Sequence, residues 1–182
     1  MLSFDFKRYN AILGWLSFAI ALVTYILTLE PTVSYWDCGE YISTSVKLQV
    51  GHPPGAPLFQ MLGAFFALFT SDPTRIAYMV NFMSALASAF TILFLFWTIT
   101  TLGKKAVLKT TGEISKSAGI AILGSGLVGA LAYTFSDSFW FSAVEAEVYA
   151  MSSFLMALLL WLALHWDCLL YTSPSPRDEL AD

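Results

Sequence analysis

Apolar residues gather in five runs, at residues 11–29, 56–69, 76–102, 118–135 and 148–166. Four of them are close to, or longer than, the ~20 residues a helix needs to cross a bilayer. The run at 56–69 has only 14 residues and follows the prolines of the bend Pro53-Pro54. A stretch that short is expected to lie at the interface or re-enter rather than span.

Charge arbitrates. If 56–69 spanned, Lys104, Lys105, Lys109 and Lys116 would face outward, against the positive-inside rule. If it lies on the surface, the cytoplasmic segments hold those four lysines with Lys7 and Arg8. The external segments, 30–75 and 136–147, then carry only Lys47 and Arg75 as basic residues. They carry seven acids: Glu30, Asp37, Glu40, Asp72, Asp137, Glu145 and Glu147. The expected fold is all-α and multi-spanning, with spans at 11–29, 76–102, 118–135 and 148–166. One or two surface helices occupy the external loop 30–75. A five-span alternative would move the second acidic cluster to the other face.

Composition agrees with a membrane protein. Hydrophobic residues make up 57% and charged residues 12%, with mean hydropathy +0.68. Soluble domains carry about 25% charged residues. No basic stripe points to nucleic acid. The apolar run behind Lys7 and Arg8 is longer than the roughly 7–15 residues of a signal-peptide core and lacks a small-residue cleavage site. It reads as a retained first helix. Cys38 and Cys168 sit near different spans, on opposite faces of this topology, without metal-type spacing. Gly119, Gly124, Gly126 and Gly129 line the third span, and Ser84, Ala85, Ala87, Ser88 and Ala89 the second. Small residues of this kind form packing seams between helices in lipid. Residues 1–167 form one transmembrane unit. Residues 171–182 carry no apolar period and read as a disordered or non-native tail, similar to translated adaptor sequence.

The chemistry concentrates where ionisable groups meet the membrane surface. Charged groups beside a span face a solvation penalty unless they meet water, a partner or a substrate. Asp37 and Glu40 are three apart and share a face on a helix. Asp at an N-cap with Glu three residues on also reads as a capping box. Tyr35, Trp36 and Tyr41 are interfacial aromatics that would hold this helix at the lipid–water boundary. A carboxylate there can take the proton of an incoming hydroxyl. His52-Pro53-Pro54-Gly55-Ala56-Pro57 makes a rigid bend, because proline fixes φ and restricts the residue before it. His52 could donate to a phosphate oxygen or orient a carboxylate, and Lys47 could offer an ammonium to a phosphate. Glu145 and Glu147 are two apart, so on a helix they point in different directions: one toward the first-loop site, the other capping the helix start.

Trp36-Asp37-Cys38-Gly39-Glu40, Gly51-His52-Pro53-Pro54-Gly55-Ala56-Pro57-Leu58 and Ala146-Glu147-Val148-Tyr149, in that order, resemble the GT-C membrane glycosyltransferases. Protein O-mannosyltransferases and lipid A aminoarabinose transferases look alike in this region. The nearest pattern is that of a bacterial domain of unknown function reading W-D-x-G-E, G-H-P-P-G-x-P-L and A-E-V-[FY]. Its animal relatives look like endoplasmic-reticulum protein O-mannosyltransferases. The resemblance implies a polyprenyl-phosphate-linked sugar as donor and a hydroxyl acceptor, Ser or Thr of an exported protein or a glycan. It implies a multi-pass protein of the bacterial cytoplasmic membrane, bathed in membrane lipid, with its site on the periplasmic face. Asp37 would be the base, with Glu40 and His52 ordering the site or touching the donor phosphate, and Glu147 supporting them. The D-x-x-E spacing departs from the D-x-D of metal-dependent oligosaccharyl transfer, which argues against an obligatory metal. GT-C enzymes have many more spans than four, so the chain is expected to be an N-terminal fragment, inactive alone. The rival readings are a transporter subunit, with acids lining a path inside the spans, and a non-catalytic scaffold.

Overall fold

A computed structural model describes the backbone of residues 4–170 and the side chains of residues 4–166. The tail at 171–182 lies outside the described residues. Seven α-helices follow one another: α1 Phe6–Leu27, α2 Cys38–Lys47, α3 Pro57–Ala67, α4 Ile76–Thr111, α5 Lys116–Thr134, α6 Asp137–Ala143 and α7 Val148–Leu170, with a 3-10 turn at Pro73–Arg75 before α4. There is no strand among the described residues. Four helices, α1, α4, α5 and α7, are long and apolar enough to cross a membrane. Asp, Glu, Lys and Arg are absent from residues 9–27, 76–103, 117–134 and 148–166. The acids therefore sit at helix ends rather than along a path through the bundle, which disfavours the transporter reading.

Local sequence sets the ends. The Asp5 side chain caps α1 by accepting from the Arg8 N–H, and Ser115 caps α5 by accepting from the Ala118 N–H. Asp72 does the same for the 3-10 turn through the Thr74 N–H. Gly112, at φ 75°, stops α4 in the left-handed conformation that glycine adopts without steric cost. The helix runs nine residues beyond the expected end of the second span at 102, so Lys104, Lys105 and Lys109 ride on its last turns rather than in a loop. At 1.5 Å per residue its 36 residues reach about 54 Å, well past a ~30 Å hydrocarbon core.

α4 is the hub, packed against α1, α5 and α7, with α3 and α6 against its first half. One apolar cluster joins Ala21 and Tyr25 of α1, Ala85, Ala89, Ile92 and Phe96 of α4, Leu123 and Ala130 of α5, and α6. A second lies directly under the site and joins Ile42, Phe59, Val80, Met83, Ala87, Ala146 and Met151. The small-residue seams are real but uneven. A Cβ on Gly126 would stand 2.7 Å from the Thr100 methyl and 3.0 Å from the Phe96 ring, and one on Gly129 2.6 Å from Ile99. Gly124 meets nothing within 4 Å and belongs to no seam.

The first loop, expected to hold one or two surface helices, carries two. With 10 and 11 residues, α2 and α3 are too short to cross a bilayer. α3 buries Phe59, Gln60 and Gly63 against α2 and α4 and leaves Leu58, Met61 and Phe65 exposed. An apolar outer face of this kind suits a helix lying in the interface.

Candidate functional site

The site is built where the first loop meets the second at one end of the bundle. Asn81 of α4 is buried, and its side-chain amide donates to the Glu30 and Thr32 carbonyls at 2.7 and 2.9 Å. The Glu30 N–H in turn donates to the Val144 carbonyl at 3.1 Å, and the Trp140 ring N–H to the Thr28 hydroxyl at 2.8 Å. These bonds fix the exit from α1 against both α4 and the second loop. The chain then climbs to Trp36, whose φ of 59° puts a bulky side chain in the left-handed region. Such a conformation costs roughly 1–3 kcal/mol and persists only where the surroundings over-determine it. It delivers Asp37 to the N-cap of α2.

The expected capping box does not form. Asp37 makes no side-chain cap bond. Glu40 turns away from the helix start to the bend: one of its oxygens accepts the His52 backbone N–H at 2.6 Å, and the other pairs with the ring Nδ1 at 2.9 Å. Gly51 gives Glu40 the room, since a Cβ there would stand 3.0 Å from its carboxylate. The opposite ring nitrogen, Nε2, faces Asp37 at 3.9 Å. The His52 pair therefore links both carboxylates of the motif. The ring hydrogen bond pulls Glu40 below the usual carboxylate range and lifts His52 above the usual imidazole range.

Behind this exposed trio lies a buried one. Cys38 is fully buried, and its thiol donates to Glu147 at 3.5 Å; the Ser34 hydroxyl donates to Glu145. Glu145 and Glu147 are not helical. They occupy the kink between α6 and α7, where the Glu147 N–H donates to the Glu145 carbonyl, so both side chains turn to the same cluster. The expectation that they point apart fails because it assumed helical spacing. Burial disfavours charge and pushes the Glu147 carboxyl up. It also pushes up the Cys38 thiol, with the neighbouring Glu145 and Glu147 adding to the effect. The Ser34–Glu145 and Cys38–Glu147 contacts brace the first loop against the second.

Two cavities meet at Asp37. One, of about 270 Å³, is lined by Trp36, Phe141, Ser142, Glu145, Glu147 and Tyr149. The other, of about 470 Å³, is lined by His52, the Pro54–Pro57 bend and apolar Leu58, Val148, Met151 and Leu155. Of the sequence candidates, Asp37, Glu40, His52, Glu145 and Glu147 come together. Lys47 does not: it is exposed at the far end of α2 and lines neither cavity. Tyr35 and Trp36 are exposed, as interfacial aromatics would be, whereas Tyr41 packs inward, its ring 5.5 Å from Phe59 and 6.1 Å from His52. Cys38, Ser34 and Asn81 carry no spacing signal; their roles arise only from tertiary contact. Among the described residues, two groups have ligand atoms close enough to hold a cation, Asp37–Glu40–His52 and Cys38–Glu145–Glu147, each within 4.8 Å.

Residues 37–177 match the family model described as the protein O-mannosyl-transferase TMEM260 N-terminal domain. The chain belongs to this family. Among curated relatives, it is 29% identical over 148 residues to the protein O-mannosyl-transferase tmem260 of Dictyostelium discoideum, covering 81% of this chain and 16% of that protein. It is 29% identical over 151 residues to the protein O-mannosyl-transferase TMEM260 of Mus musculus, covering 82% of this chain and 19% of that protein. The chain thus spans less than a fifth of the length of either relative. Both are eukaryotic, and the match supports the O-mannosyltransferase side of the resemblance rather than the bacterial domain of unknown function. No solved structure matches the chain. The family match starts at Asp37 and so takes in the whole Asp37–Glu40–His52 trio and the Cys38–Glu145–Glu147 brace.

Proposed function

We propose that this segment forms the catalytic end of a GT-C-type protein O-mannosyltransferase, moving mannose from a polyprenyl phosphate to a Ser or Thr hydroxyl on the external face of the membrane. The observation that carries the reading is that Asp37 alone among the acids stands exposed where the two cavities meet, with a braced imidazole beside it. The apolar-walled cavity suits the lipid-linked donor, whose phosphate would lie against His52. The smaller cavity suits the acceptor, whose hydroxyl would reach Asp37.

In this arrangement Asp37 takes the hydroxyl proton as the oxygen attacks the anomeric carbon. The bond from that carbon to the phosphate oxygen breaks, and the phosphate leaves with the electron pair. His52, whose cationic form the Glu40 hydrogen bond favours, donates a hydrogen bond to the departing charge. A single displacement inverts the anomeric centre.

The test is a transfer assay with the complete protein in proteoliposomes, using polyprenyl-phosphate mannose and a Ser/Thr-rich peptide. The expected result is peptide mannosylation with inverted configuration at the sugar. Transfer straight from a nucleotide sugar, without any lipid-linked donor, would overturn the reading.

A further inference from the structure

At the end of the bundle opposite the acidic site, a cavity of about 390 Å³ opens between α1, α4 and α7. Lys7 of α1 and Lys104 and Lys105 of α4 line it together with Asn10, and the side chains of Phe6 and Leu108 supply apolar wall. No Asp or Glu lines it among the described residues. The Lys105 ammonium donates to the Leu164 carbonyl at 3.4 Å and so serves the end of α7. Lys7 and Lys104 form no ion pair among the described residues. The side-chain oxygen of Asn10 finds no hydrogen-bond partner among them either.

Lysines are expected at this end from membrane sidedness alone. That requirement is met equally well by solvated side chains such as Lys109 and Lys116, both exposed on the same end. Lys7 is exposed as they are, but sidedness does not explain why Lys104 is half-buried in a cavity that Lys7 also lines. Two ammonium groups that face one cavity, with no ion pair among the described residues, make an anion site. Its place at the ends of three span helices, with apolar wall beside the charge, selects a lipid. We propose that this cavity binds the phosphate headgroup of an anionic glycerophospholipid from the surrounding leaflet. Basic pockets between membrane helices on the cytoplasmic side are suited to such headgroups. A choline headgroup carries its own cation and is repelled by the same lysines.

The proposal is tested on the complete protein in non-ionic detergent, by thermal unfolding with added phosphatidylglycerol, phosphatidylcholine or inorganic phosphate. Phosphatidylglycerol is expected to raise the Tm and phosphatidylcholine to leave it unchanged. At about 1 kcal/mol of leaflet attraction per basic residue, Lys7→Gln with Lys104→Gln should raise the phosphatidylglycerol concentration needed by about tenfold or more. Lys109→Gln with Lys116→Gln removes the same charge outside the cavity and should respond as the unaltered protein does. A photoactivatable phosphatidylglycerol gives a readout without substitution, and should crosslink to peptides containing Lys7 and Lys104. An equal shift from inorganic phosphate would assign a free anion and overturn the lipid. Equal response to the two lipids, or crosslinking confined elsewhere, would overturn the site.

Discussion

Glu40 holds His52 twice, accepting its backbone N–H at 2.6 Å and pairing with its ring Nδ1 at 2.9 Å. The bend that follows α2 is thereby tied back to the helix one turn from Asp37. This single carboxylate sets the position of the imidazole and, with it, the wall of the larger cavity.

The tie has a pH signature. His52 is raised above its usual 6.5, so its contribution is complete below pH 6.5 and is lost as pH rises through the folded value. Glu40 is lowered below its usual 4.5, so its contribution is complete above pH 4.5 and is lost as pH falls through the folded value. Both contributions are whole between pH 4.5 and 6.5. NMR titration of the His52 ring should give a midpoint above 6.5 that moves back toward 6.5 in Glu40→Gln. An unmoved midpoint would show that Glu40 is not the cause.

Cys38 is buried, and its thiol is held in the neutral form by burial and by two adjacent glutamates. The thiolate is the reactive species. With Cys168 and any other cysteine of the complete protein replaced by Ser, native protein should resist aqueous maleimide at pH 7.5 and label readily once unfolded. Fast labelling in the native state would contradict the brace. The same inertness gives a clean background for sidedness: cysteines at exposed Val50 and Lys109 should label from opposite faces of the membrane.

Asn81 satisfies two loop carbonyls from inside the bundle. Asn81→Leu removes both bonds, each worth about 0.5–1.5 kcal/mol net. The expected outcome is a lower Tm together with lost transferase activity, because the exit from α1 positions Asp37. An unchanged Tm would mean that the loop is held by other contacts.

Gly63 lets α3 approach α2: a Cβ there would lie 2.6 Å from the Ser45 hydroxyl and 3.0 Å from its Cβ. Gly63→Ala should destabilise by about 1–3 kcal/mol through overpacking, read as a fall in Tm. Adding Ser45→Gly should restore most of it. Failure of the second change to rescue would place the strain elsewhere.

Span number, the short surface helices and the acid-rich end were legible because they depend on run length and charge sidedness, both local properties. Asp37 and His52 drew notice because ionisable groups beside a span stand out against an apolar background, and the fold does bring them to 3.9 Å of each other. The readings of Glu40, Glu145 and Glu147 failed because side-chain direction was inferred from helical spacing. Glu40 left its helix start for a bend twelve residues on, and Glu145 and Glu147 sat in a kink where helical geometry does not apply. Lys47 shares a helix with Glu40 but lies at its other end. Lys104 and Lys105 looked like loop residues because charge interrupts the apolar run, yet helical hydrogen bonding continues to Gly112.

The most direct test of the account is Asp37→Asn in the complete protein, assayed for mannosyl transfer from the lipid-linked donor to peptide. The substitution keeps size and polarity but cannot accept the hydroxyl proton. Loss of a general base is worth about 10²–10⁴ in rate, so transfer should fall by at least about a hundredfold while Tm and membrane insertion stay unchanged. Transfer at near the unaltered rate by a folded Asp37→Asn protein would contradict the account.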